Sequence, residues 1–122
     1  MIPEQVVESA TDKNILAGLL AVRLLVDDPK TWTRGSAARR ANGMPCGVDD
    51  PEAVRFCVIG AIGFVLTEPD RMAGSNLRNA VGREICKGAR RGEGLWGLND
   101  LRGRHAVLRA TDRAIARVEA RL

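Results

Sequence analysis

Tyrosine is missing from this chain of 122 residues, and two tryptophans with two phenylalanines supply all of its aromatic bulk. A core with so few rings has to be built from Leu, Val, Ile and Ala, whose small volumes suit close helix packing. Histidine occurs once, at His105, so any acid–base chemistry by imidazole rests on that residue. The three cysteines, Cys46, Cys57 and Cys86, are an odd number with neither the spacing of a zinc site nor that of a disulfide framework. They read as reduced thiols, and no metal or other cofactor is expected. No apolar run approaches the ~20 residues that a membrane-spanning helix needs, so no membrane association is expected. The first residues, Met-Ile-Pro-Glu-Gln, lack the basic segment and apolar core of a secretory leader, from which a cytoplasmic chain is expected. The glycine-rich stretch 88–97 lacks the Lys-Ser/Thr end of a phosphate loop. The adjacent aspartates Asp27-Asp28 and Asp49-Asp50 lack calcium-loop spacing.

The apolar share of 45% is that of a globular protein, and the length allows one domain, residues 1–122. A chain of this size buries enough surface to fold without metals or disulfides. The net charge of +4 is unevenly placed. Residues 1–70 carry an excess of three acidic groups and residues 71–122 an excess of seven basic ones, with arginine far outnumbering lysine. Such a composition has two readings. One is a bias of base composition towards Arg and Ala. The other is a surface for an acidic partner, since guanidinium presents a planar fork to carboxylate or phosphate.

Helical periodicity dominates the chain. Ile15, Leu19, Val22 and Val26 form one stripe of a helix from Thr11 to Val26, widened by Leu16 and Leu20, with Thr11 or Asp12 as cap and Asp27-Asp28-Pro29 as stop. Residues 29–50 lack clear periodicity and form a long irregular loop, in which Ser36–Ala41 suggests a short helix. A second helix is expected to start at Pro51, capped by Asp49 or Asp50, and to run through Phe56 and Phe64 as an apolar central rod. Gly60 and Gly63 weaken that rod by ~1 kcal/mol each relative to Ala, which points to a neighbouring backbone in close approach. A third helix is expected over Asn76–Lys87, capped by Ser75, and a last one over His105–Leu122, with Val107, Leu108, Thr111, Ala114, Ile115, Val118 and Leu122 inward. The expected fold is therefore all-α, a compact single-domain bundle of about four main helices.

Three segments together, Phe56-Cys-Val-Ile-Gly-Ala-Ile62, Asn99-Asp100-Leu-Arg-Gly-Arg-His-Ala-Val-Leu108 and Asp112-Arg-Ala-Ile115, resemble an uncharacterised family of small bacterial and phage-encoded proteins, a domain of unknown function. Its pattern is a Trp near a first loop, a Cys-x-x-Gly-Ala segment, and Asn-Asp-x-x-Gly-Arg before a final helix. The likeness spans about residues 32–115. Leu98 stands where a Trp often precedes Asn-Asp, and Arg104-His105 stand where Ser or Thr is often seen. The resemblance implies the helical architecture and a phage or mobile-element setting, and brings no catalytic residue.

Several constellations bear on function. Cys57 with His105, oriented by Asn99, is the sharpest enzymatic combination, a thiol nucleophile with an imidazole base. The competing reading of Cys57 is a buried core thiol. Asn99–Arg104 reads as a turn in which Asn and Asp side chains take backbone N–H groups and Gly103 adopts a left-handed conformation. Arg78, Arg83, Lys87, Arg90, Arg91, Arg102 and Arg104 form one patch if the third helix packs beside the glycine-rich loop, with Trp96 nearby. The leading expectation is a non-enzymatic helical binding module, an accessory or inhibitory protein. It would engage an acidic macromolecular partner, protein or nucleoprotein, through Arg83, Lys87, Arg90, Arg91, Trp96, Arg102 and Arg104. The alternatives are a nucleic-acid-binding protein and a cysteine-dependent enzyme using Cys57 and His105. Gly and Ala helix faces also suit a symmetric homodimer.

Overall fold

The computed structural model of the chain describes residues 10–66 and 71–122, and side chains throughout these except at 71–75. Helix α1, Asp12–Asp27, starts where Thr11 turns extended and its hydroxyl accepts the Asn14 N–H at 3.2 Å. Ile15, Leu19, Val22 and Val26 are buried, the stripe that the periodicity demands. At the other end Asp28 is extended, as a residue before proline prefers.

Residues 29–56 depart from an all-α design. Three short strands, β1 (Ala38–Arg40), β2 (Pro45–Cys46) and β3 (Ala53–Phe56), form an antiparallel sheet in the order β2-β1-β3. Ala38 lies opposite Cys46 on one side and Phe56 on the other. The expected short helix over Ser36–Ala41 is thus a strand. The reversal after it places Gly43 at φ 89°, and the hairpin closes with the Arg40 N–H on the Met44 carbonyl at 2.9 Å.

The expected helix start at Pro51 is a turn. Asp50 accepts the Glu52 N–H at 2.8 Å through one carboxylate oxygen and the Arg40 guanidinium at 2.8 Å through the other. The same side-chain chemistry that caps helices also closes turns. Here β3 can pair with β1, so the turn prevails, and Phe56 ends a strand rather than lying within a rod. The helix proper, α2, is Val58–Val65. It begins at Cys57, whose sulfur accepts the Gly60 N–H at 3.3 Å.

Helix α3, Arg71–Cys86, starts five residues ahead of Asn76, which puts Ser75 inside it rather than at its cap. It buries Leu77, Ala80, Val81 and Ile85. After a turn come the short helix α4, Gly94–Gly97, and one π-helical turn, Leu98–Arg102. Gly103, at φ 94°, breaks the chain into α5, Arg104–Ala120. Helix α5 buries Ala106, Val107, Ala110, Thr111, Ala114 and Val118, while Leu122 is exposed beyond its end. Helix α1 packs against α5 and α2, and α3 against α5.

The described residues thus form five α-helices with one small antiparallel sheet, a helix-dominated fold rather than an all-α one. Among them, no helix is long and apolar enough to cross a membrane.

An ion network binds the helical layer. Glu84 on α3, only 8% exposed, meets Lys87 at 3.2 Å and Arg121, just past the end of α5, at 3.2 Å, and Arg121 continues to Asp12 of α1 at 2.9 Å. Arg117 closes the cluster by donating to the Glu84 carbonyl at 2.6 Å.

Candidate functional site

Asn99 is fully buried and uses its amide four ways. Its Oδ1 accepts Trp32 Nε1–H at 2.9 Å and the Val58 backbone N–H at 2.9 Å. Its Nδ2 donates to the Thr33 carbonyl at 3.1 Å and to Asp100 Oδ1 at 2.8 Å. Asp100 Oδ1 also accepts the Gly35 N–H at 3.1 Å, and Arg34, stacked 5.2 Å from the Trp32 ring centre, donates to the Asp100 carbonyl. A π-helical turn positions this amide; its side chain joins the first loop to the N-terminus of α2 and supplies one of the acceptors that a helix start requires. The Asn99–Arg104 turn expected from sequence is present, with Gly103 left-handed, and its polar atoms are consumed in holding the fold together.

Cys57 belongs to the same hub. Its side chain is fully buried and its N–H donates to the Ala37 carbonyl at 3.2 Å. Burial pushes the thiol above its ordinary range; the N–H groups of Gly60 and Ile59 pull the other way without reversing it, and the Asp100 carboxylate raises it further. A sulfur that is protonated, enclosed and engaged as a helix cap is placed for structure rather than attack. His105 is exposed in the first turn of α5, and among the described residues no hydrogen bond joins it to Cys57 or Asn99. Among the described residues no three His, Cys, Asp or Glu side chains gather as metal ligands.

Gly60 explains why α2 can lie against the sheet. A Cβ there would stand 1.8 Å from the Ala37 carbonyl oxygen, so this contact is open to glycine alone. Gly63, where a close backbone approach is equally expected, faces a groove instead; a Cβ there would meet only Val48, at 3.6 Å.

That groove, of about 590 Å³, runs between α2 and α3. Ile59, Ile62, Val48 and Leu95 give it apolar walls, Gly63 and Gly82 keep it open, and Arg83, Asn79 and Cys86 stand along α3. Its size and its few polar groups are those of a ligand-binding cleft. Sequence reasoning passed over it. The signal available was Gly63 and Gly82 inside helices with no turn to make.

The cationic residues separate into two groups. Arg104 donates to the Asp27 carbonyl at 2.7 Å, closing the C-terminus of α1. Arg102 pairs with Glu93 at 3.1 Å and donates to the Gly88 carbonyl, which secures the glycine-rich turn. Glu93 also accepts the Arg90 N–H at 2.8 Å; that bond and then the Arg102 guanidinium hold its carboxyl below the usual range. Lys87 is committed to Glu84. Arg78 donates to the Leu66 carbonyl at 2.8 Å. By contrast, the guanidinium groups of Arg83, Arg90 and Arg91 are exposed and make no hydrogen bond or ion pair among the described residues. Trp96 of α4, next to the groove-lining Leu95, is half exposed. The expected patch therefore divides: Arg102 and Arg104 serve the fold, while Arg83, Arg90, Arg91 and Trp96 face outward around the end of α3.

A model of a family of unknown function, DUF6197, matches residues 10–117 of the chain. No curated protein matches it, and no solved structure does.

Proposed function

Since the chain belongs to DUF6197, a family of unknown function, its role has to be read from its own geometry, and we propose that it is a non-enzymatic binding module for an acidic protein partner. The observation that carries this reading is the division among the arginines. Side chains that hold the fold have found carbonyls and carboxylates, whereas the exposed guanidinium groups of Arg83, Arg90 and Arg91 make no hydrogen bond or ion pair among the described residues, and Trp96 is exposed on the helix that follows their turn. Arg and Trp are enriched among the residues that dominate protein interfaces. The Glu93 and Arg102 contacts hold the backbone of the turn, so its cationic side chains are presented from a fixed frame. Burial and capping occupy the one thiol that stands near an amide hub, and this favours binding over catalysis.

The test is the triple variant Arg83→Ala/Arg90→Ala/Arg91→Ala, compared with the unaltered protein for binding to immobilised poly-glutamate at moderate salt. A loss of tenfold or more with unchanged circular dichroism is the expected result. Equal binding refutes the surface. Capture of duplex DNA in preference to poly-glutamate, with affinity falling steeply as salt rises, replaces the reading with a nucleic-acid one.

A further inference from the structure

The groove between α2 and α3 is not accounted for by a purely electrostatic surface. It adjoins the cationic turn: Arg83 lines it and is one of the arginines with no ion pair among the described residues, and Leu95, one of its walls, precedes the exposed Trp96. Its lining is mostly apolar, with Ile59, Ile62, Val48 and Leu95, and its polar members stand on α3 at Arg78, Asn79 and Arg83. A mostly apolar cleft beside an exposed guanidinium complements a ligand with hydrocarbon at one end and negative charge close by. Water in such a cleft has few polar partners, so replacing it by hydrocarbon is favourable. At about 590 Å³ the space exceeds a single side chain and accommodates an anchor with adjoining backbone.

We propose that this groove seats the apolar anchor side chain of an acidic peptide segment, with a carboxylate of that segment paired to Arg83. The inference rests on the binding-module reading and adds to it the chemistry of the partner: an aliphatic or aromatic residue flanked by Asp or Glu. The arginines supply attraction, which screens with salt, and the groove supplies the contact that discriminates one acidic segment from another. Burying one large apolar side chain raises affinity on the order of tenfold to a hundredfold.

Three labelled peptides of equal length test it by fluorescence polarisation: one with Phe among Glu residues, one with Ala replacing the Phe, and one with Phe among Gln residues. The expected result is that the Glu/Phe peptide binds at least tenfold more tightly than either of the others. Arg83→Gln, at an exposed position, is expected to cut that affinity several-fold while leaving the helical spectrum unchanged. In two-dimensional amide spectra, the Gly63 and Gly82 signals are expected to move with the Glu/Phe peptide and to stay in place with the Glu/Ala peptide. If the Glu/Ala peptide binds as tightly as the Glu/Phe one, the groove is not the anchor site and the cationic surface alone survives. If the Gln/Phe peptide binds equally well, the carboxylate pairing is wrong. If no peptide binds up to millimolar concentration, the binding-module reading falls together with the inference.

Discussion

Replacement of Asn99 by alanine is the perturbation that most directly probes how the fold is held. The variant removes the acceptor of two N–H groups, that of Val58, which is buried, and that of Trp32, which is partly buried. A buried donor left without a partner costs about 1–3 kcal/mol. The Val58 N–H lies at a helix start, where no carbonyl of its own helix can take it. Trp32 stands nearer solvent, so its indole N–H recovers part of the loss by binding water. The Thr33 carbonyl and Asp100 lose a donor but keep other routes to hydrogen bonding. Together these losses come to about 3–4 kcal/mol, a large fraction of the roughly 5–15 kcal/mol that stabilises a domain. With a urea dependence of about 1.5 kcal/mol per molar, the unfolding midpoint is expected to fall by roughly 2 M. Urea titration followed by far-ultraviolet circular dichroism and by tryptophan emission measures this, the second probe reporting on Trp32 together with Trp96. A midpoint within about 0.5 M of the unaltered protein, at unchanged slope, refutes the view that this amide is the joint between the first loop and α2.

Two further predictions concern stability. Gly60→Ala places a methyl against the Ala37 carbonyl oxygen and is expected to prevent folding or lower stability by more than about 3 kcal/mol, whereas Gly63→Ala, which meets only Val48, is expected to be neutral or stabilising by up to about 1 kcal/mol; paired thermal melts distinguish them. Acid is expected to loosen the helical layer. Asp12, held down chiefly by its bond from Arg121, and Glu84, where Lys87 and Arg121 overcome the opposing effect of burial, both have carboxyl groups below their ordinary values of 3.8 and 4.5. Depressed folded-state values mean that this stabilisation is present above about pH 4.5 and is lost as pH falls through the folded values. Melting temperature should therefore drop between pH 5 and pH 3, and Glu84→Gln should flatten that drop; an unchanged pH profile in the variant would show that the network contributes nothing.

Elements whose signals are local could be read from the chain itself. The stripe of Ile15, Leu19, Val22 and Val26, the Thr11 cap, the inward face of α5 and the left-handed glycine at 103 each depend on residues within a turn or two of one another. A close backbone approach was also legible at Gly60, because a glycine in an apolar helix is costly unless something needs the space. Other features were decided by groups distant in sequence. Asp50-Pro51 suits a helix start or a turn equally, and β1, ten or more residues earlier, settles the matter by pairing with β3. The three strands are too short to show an alternating pattern. Nothing near Asn99 indicates that its amide joins Trp32 and Val58, partners 67 and 41 residues away. The same holds for the cations. Composition states how many arginines there are, but only tertiary contacts commit Arg102 and Arg104 to carbonyls of the fold and leave Arg83, Arg90 and Arg91 without an ion pair among the described residues. Periodicity is a property of one segment, whereas hydrogen-bond satisfaction and charge pairing belong to the whole packed molecule.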